Sequence, residues 1–159
     1  MRISEDGLSL ITHFEGCHKR VASGNYVPYK CPAGLWTVGY GTLIGDGKTL
    51  PYYANREYTL QECKSMLADE LRSKERGVLR LVRYPLMQHE FDALVSFAYN
   101  LGLGCLQRST LRQKLNRGDK LGAIKSLLQY NKAKVKGVYK VLPGLKRRRE
   151  AEAILFLAK

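Results

Sequence analysis

An abrupt change of backbone habit at Glu15-Gly16 constrains the fold of this chain more than any other feature. Ahead of it, Ile3, Gly7, Leu10, Ile11 and Phe14 form one helical stripe, with Ser4 as N-cap and Gly16 as a C-terminal stop. Behind it comes a polar loop over residues 17–28. The segment from Tyr26 to Ile44 is then rich in Tyr, Val, Trp and Thr, and is punctuated by Pro32-Ala33-Gly34 and Gly45-Asp46-Gly47. These are strand and turn signals, so the segment predicts a small antiparallel sheet. At Thr59 the helical period returns. Thr59-Leu60-Gln61-Glu62 is a capping-box pattern, and Leu60, Cys63, Leu67, Leu71, Val78 and Leu81 carry a long helix toward Tyr84-Pro85, with Gly77 placed to break it.

Residues 86–101 give the most apolar helix, built on Phe91, Leu94, Val95, Ala98 and Leu101 and stopped by Gly102. Ser109 starts a short helix closed by Gly118, and Asp119 caps another carrying Ala123, Ile124, Leu127 and Leu128. Residues 131–142 read as basic and irregular, and a last helix runs from about Leu145 past Leu155 to Ala158. At 159 residues the chain can enclose a real core as one domain, residues 1–159. The expected fold is α+β and predominantly helical. A small N-terminal lobe with an antiparallel sheet is joined by the long helix to a larger helical lobe, with a cleft between the two.

Charge is unevenly spread. The formal net charge is +13, from 27 Lys/Arg against 14 Asp/Glu, and between Arg112 and Arg149 thirteen Lys/Arg face a single acid, Asp119. One lobe is therefore a cationic surface that attracts polyanions, whether nucleic acid, wall polymer or anionic lipid. No apolar run approaches the ~18 residues of a membrane span, and Arg2, Glu5 and Asp6 interrupt any secretory segment. The chain is thus expected to start in the cytoplasm. Cys17, Cys31, Cys63 and Cys105 lack zinc-site or Cys-x-x-Cys spacing. They are expected as free thiols during folding, with Cys63 and Cys105 in the core. His13, His18 and His89 have no metal-ligand spacing, so neither metal nor cofactor is expected.

Three residues around the first boundary suit the cutting of sugar chains. Glu15 ends an amphipathic helix, where the negative pole disfavours a charged carboxylate and favours a proton donor; the alternative is an ordinary surface Glu. Thr37 has a hydroxyl that could orient water, although β-branched residues also suit strands for packing. Cys31 lies six positions earlier. An ordinary thiol is only a few per cent thiolate at pH 7, so base, water holder, partner of Cys17 and plain structural residue all stay open. Farther along, Tyr99 offers an apolar platform and Asn100 a hydrogen-bonding arm for a sugar amide, against the common placement of Asn at a helix end.

Taken together, the chain resembles the phage-type lysozymes, the endolysins that cut bacterial peptidoglycan at phage release. The resemblance spans nearly its whole length. It rests on Glu15-Gly16; Tyr29-x-Cys31-Pro32-Ala33-Gly34-x-x-Thr37-x-Gly39-Tyr40-Gly41; Ser96-Phe97-Ala98-Tyr99-Asn100-x-Gly102; Arg108-Ser109-Thr110-Leu111; and Leu142-Pro143-Gly144-Leu145-x-x-Arg148-Arg149-x-x-Glu152. It implies a lysozyme-like fold and inverting hydrolysis of the β-1,4 bond between N-acetylmuramic acid and N-acetylglucosamine. Glu15 would be the acid, and Cys31, in place of the commoner Asp, would handle the attacking water together with Thr37. Leu43, Tyr99 and Thr110 would touch the sugar. Sixteen positions separate Glu15 from Cys31, against nine usual in the family, the excess lying around Val21–Tyr26. The resemblance also implies peptidoglycan as partner, anionic envelope lipid or lipopolysaccharide as an attractant for the basic lobe, no nucleic acid, a monomer, and holin-dependent release from the host cytoplasm to the periplasm.

Two other functions compete. A lytic transglycosylase would leave 1,6-anhydro ends instead of reducing muramic ends. A cationic module that kills by disrupting membranes would need no Glu15.

Overall fold

The computed structural model describes residues 1–159. Its elements are α1 (Glu5–Glu15), β1 (Tyr29–Lys30), β2 (Trp36–Val38), β3 (Thr42–Leu43), a 3-10 turn at Tyr52–Ala54, α2 (Leu60–Leu81), α3 (Gln88–Leu101), α4 (Leu103–Arg108), α5 (Thr110–Asn116), α6 (Lys120–Leu128), β4 (Lys132–Val135), β5 (Val138–Val141) and α7 (Pro143–Phe156). The expected α+β, mainly helical architecture is observed. Two compact units divide the chain: a small one, Ile11–Leu71, and a large one, Met1–Leu10 with Arg72–Lys159.

In the small unit, β1, β2 and β3 form an antiparallel meander, with Tyr29 opposite Thr37 and Thr37 opposite Leu43. Isolated bridges His18–Gly39, Arg20–Tyr26 and Tyr26–Tyr58 pin the loop that precedes it. The extra residues between Glu15 and Cys31 are ordered as a tight turn, Val21 N–H to Asn25 O at 2.8 Å, clipped by Ser23 and Asn25 side chains to the Glu57 carboxylate. Ile11, Tyr26, Val38, Tyr40, Tyr58, Cys63 and Leu67 make the core. Gly39 has φ +65, and a Cβ there would lie 2.8 Å from the Cys63 side chain, so only glycine fits. The capping box at the start of α2 is present: Glu62 N–H donates to Thr59 Oγ1 at 3.1 Å, and Thr59 N–H donates to Glu62 Oε1 at 3.4 Å.

The large unit is organised around α3, whose residues Glu90–Ala98 are all buried. Buried acids here are each engaged: Glu75 by Arg2, Glu90 by Lys120, and Asp92 by Ser4 and Gln88. Ser4 caps α1 as expected, its hydroxyl accepting from Gly7 N–H at 3.3 Å. Ser109 and Asp119 cap α5 and α6, accepting from Arg112 and Gly122 N–H.

Four expectations need correction. Gly77 does not break α2; the missing side chain admits Leu103, whose Cδ1 would be 2.3 Å from a Cβ at that position. A short helix, α4, follows Gly102 directly. Cys105 sits on it half-buried and is not a core residue. Residues 131–142 are not irregular. They contain the antiparallel ribbon β4–β5, closed by a Lys136-Gly137 turn with φ of 50 and 83 and at its base by Leu142 N–H to Asn131 O at 2.9 Å. Finally, α7 begins at Pro143, two residues early, with proline in its first turn.

Candidate active site

Glu15, Cys31, Thr37 and Leu43 fall in the small unit, whereas Tyr99, Asn100 and Thr110 belong to the large one. Glu15 is the final residue of α1, and Gly16 leaves it with φ +69. The Glu15 carbonyl is hydrogen-bonded to His18 Nε2 at 3.0 Å, which fixes the chain's exit from the helix. The His18 ring in turn packs edge-on to Tyr29, with centroids 5.7 Å apart.

Strand alternation then sorts the sheet residues. Because Tyr29 pairs with Thr37 and Thr37 with Leu43, these three share one face, and Cys31, two positions beyond Tyr29, continues it. Lys30 and Trp36 pair on the other face, the Lys30 ammonium 5.4 Å from the indole centroid. Cys31 is half-buried at the mouth of a turn, where its N–H bonds to Leu35 O at 2.9 Å and its carbonyl accepts from Gly34 N–H at 2.8 Å. Thr37 is 4 % exposed, and its hydroxyl donates to Tyr29 O at 3.1 Å. A hydroxyl has one proton to give. With that proton committed to the backbone, Thr37 can only accept from any further partner.

Tyr29 ties these groups together, and its role was not visible in the sequence. Burial, the largest cause, pushes its phenol above the ordinary value. The negative forms of Cys31, Cys17 and Glu15 all lie close enough to push it further up. The Glu15 carboxyl, the Cys17 and Cys31 thiols and the Thr37 hydroxyl thus all act on one phenol.

All four cysteines are free thiols. The Cys17 thiol is hydrogen-bonded with Cys63 and Tyr26, and burial raises its pKa despite them. Burial, and after it the neighbouring Cys17, pushes Cys63 up to about 12. These two are therefore protonated and unreactive at neutral pH.

In the large unit, Asn100 Oδ1 accepts from Arg149 Nη2 at 2.8 Å, leaving its amide N–H groups as the donors it can offer. Arg149 is fully buried. It also reaches Glu152, Nε to Oε2 at 2.7 Å and Nη2 to Oε1 at 2.9 Å, and Ser96 Oγ donates to the same Oε1 at 2.7 Å. Burial holds the Arg149 pKa below its ordinary value against the pull of Glu152. Tyr99 is half-buried beside Asn100. Thr110 opens α5, its hydroxyl 2.5 Å from Ser126 Oγ. Leu43 is 44 % exposed.

Residues 12–152 match the family described as phage lysozyme. An endolysin of Acyrthosiphon pisum secondary endosymbiont phage 1 is 36% identical over 98% of both chains. The endolysin of Escherichia coli O157:H7 phage FAHEc1 superposes with a TM-score of 0.83 at 34% identity, covering 99% of this chain and 94% of that one. The P1 phage endolysin Lyz, 28% identical in its active form, gives 0.76 over 99% of this chain and 85% of its own. Its secreted inactive form, covered to 96%, gives 0.57 over 98% of this chain at 29% identity.

Proposed function

The chain belongs to the phage lysozyme family, and from that premise we propose that it is an endolysin whose residues 1–159 act as one catalytic domain on peptidoglycan. It is a glycoside hydrolase, a muramidase that cleaves the β-1,4 bond between N-acetylmuramic acid and N-acetylglucosamine. Glu15 donates its proton to the glycosidic oxygen as that bond breaks. Water attacks the anomeric carbon with inversion, held by Thr37 as acceptor of one of its protons. Cys31, in place of the family's commoner Asp, receives or steers the other. Leu43, Tyr99, Asn100 and Thr110 contact the saccharide, with Asn100 offering N–H donors to sugar amide oxygens.

What supports this reading is that Thr37 pairs with Tyr29 across β1–β2, with Cys31 directly after β1 and Glu15 at the end of α1 in the same unit, on a chain matched to the family across residues 12–152. No helix is long and apolar enough to cross a membrane. The enzyme works as a monomer, leaves the cytoplasm through a holin lesion, and is drawn to anionic envelope lipid or lipopolysaccharide.

Glu15→Gln should lower turnover on purified peptidoglycan by about 10²–10⁴-fold without unfolding the chain. Mass spectrometry of wild-type digests should find reducing muramic ends. A folded Glu15→Gln variant with full activity, or 1,6-anhydro ends, would refute the assignment. In the same assay, Cys31→Asp should stay active while Cys31→Ser falls; equal activities would remove Cys31 from the chemistry.

A further inference from the structure

The β4–β5 ribbon takes no part in the site described above, and its surface is unusual for a solvated hairpin. Residues 132–141 hold four lysines, Lys132, Lys134, Lys136 and Lys140, and no acid. None of the four makes an ion pair within the protein, so their charge is available to an outside partner. Every residue of β5 is exposed, including Val138 at 57 %, Tyr139 at 72 % and Val141 at 48 %. Register places Lys132 opposite Val141 and Lys134 opposite Tyr139, so one face mixes ammonium groups with bare apolar side chains. Lys136, at the turn, adds charge at the tip.

We infer that this ribbon docks the enzyme on a bilayer presenting anionic phosphate headgroups. The inference deepens the proposed envelope attraction and rests on it, but not on the glycosidase chemistry. Lysines meet headgroup phosphates while their stems lie along the acyl boundary. Tyr139 sits at headgroup depth, and Val141, on the same face, leaves water for hydrocarbon. A nucleic-acid backbone would satisfy the lysines but give Val141 nothing to bury against, which is why lipid is favoured.

Cosedimentation of the full chain with vesicles of phosphatidylglycerol and phosphatidylethanolamine, against pure phosphatidylcholine, tests this. Binding should require the anionic lipid and weaken with salt. Replacing all four lysines by Gln should lower affinity on the order of several hundredfold at low salt, about fivefold for each. Tyr139→Ser with Val141→Ser should lower it severalfold. Replacing the exposed Arg76, Arg80, Arg83 and Arg117 by Gln, an equal charge change elsewhere, should have a much smaller effect. Cleavage of soluble peptidoglycan fragments should be unchanged in all three variants and reports folding. Wild-type protein that ignores anionic vesicles would overturn the envelope reading along with the ribbon. Binding that survives the lysine changes, falls equally in the arginine control, or is indifferent to the Tyr139 and Val141 changes overturns the ribbon alone. So does loss of duplex DNA binding with vesicle binding intact.

Discussion

Each of the two units is stabilised internally by different means. The large unit buries Glu75, Glu90, Asp92, Arg148, Arg149 and Glu152, while the buried polar or charged residue of the small unit is Thr37. The small unit relies on its backbone: seven of the ten glycines with positive φ lie in it, from Gly16 to Gly47. A densely packed helix such as α3 can carry paired charges because the surrounding groups satisfy them. A meander of two- and three-residue strands cannot, so it positions the side chains proposed for the chemistry by fixing turns. That division suits a glycosidase, whose acid and water-handling groups need defined positions more than a deep core.

Breaking the charge cluster should have the largest effect on stability. Arg149→Ala leaves Glu152 partly uncompensated in the core and should cost about 3–5 kcal/mol in urea unfolding. A loss below about 1 kcal/mol would mean that packing, not pairing, holds that unit. The small unit is challenged at its backbone by Gly39→Ala, which combines φ +65 with an approach of 2.8 Å to Cys63. The expected cost is about 1–3 kcal/mol, and an unchanged melting temperature would show that the turn yields easily.

The smallest effect sharpens the comparison through pH. A thiol whose folded pKa is raised keeps its proton in the native state after the unfolded chain has lost it. Its stabilisation is complete below the unfolded value, near 9, and is lost as pH rises toward the folded value of about 12. Unfolding free energy should therefore fall with alkalinity, by about 1 kcal/mol at pH 10 for Cys63. Cys63→Ala should flatten that slope whatever its effect at pH 7. An unaltered slope would assign the alkaline sensitivity to the buried tyrosines.

Much of this was legible in the sequence where one local signal dominated. Caps at Ser4, Thr59, Ser109 and Asp119 marked helix starts because a short polar side chain there has few other uses. Cys105 and the ribbon were misread for physical reasons. An apolar position on a helix as short as α4 does not guarantee burial. In residues 132–141, the alternation of Lys with Ala and Val was masked by charge, and Lys-Gly is a poor emblem of a tight hairpin turn. Tyr29 could not have been found by spacing, since its significance comes from strand register and from helix α1 ending nearby. Arg149 and Glu152 were visible as a motif, but their tie to Asn100 joins residues 49 positions apart.

The clasp between Ser4 and Asp92 has a kinetic meaning. It joins positions separated by 88 residues, with Gln88 bonded both to Asp92 and to the Arg2 carbonyl. During synthesis, the earliest part of the chain must wait for the middle of α3 to emerge before it can dock. Closing so long a loop is entropically slow, so the opening segment should be the last piece of the large unit to become protected from hydrogen exchange.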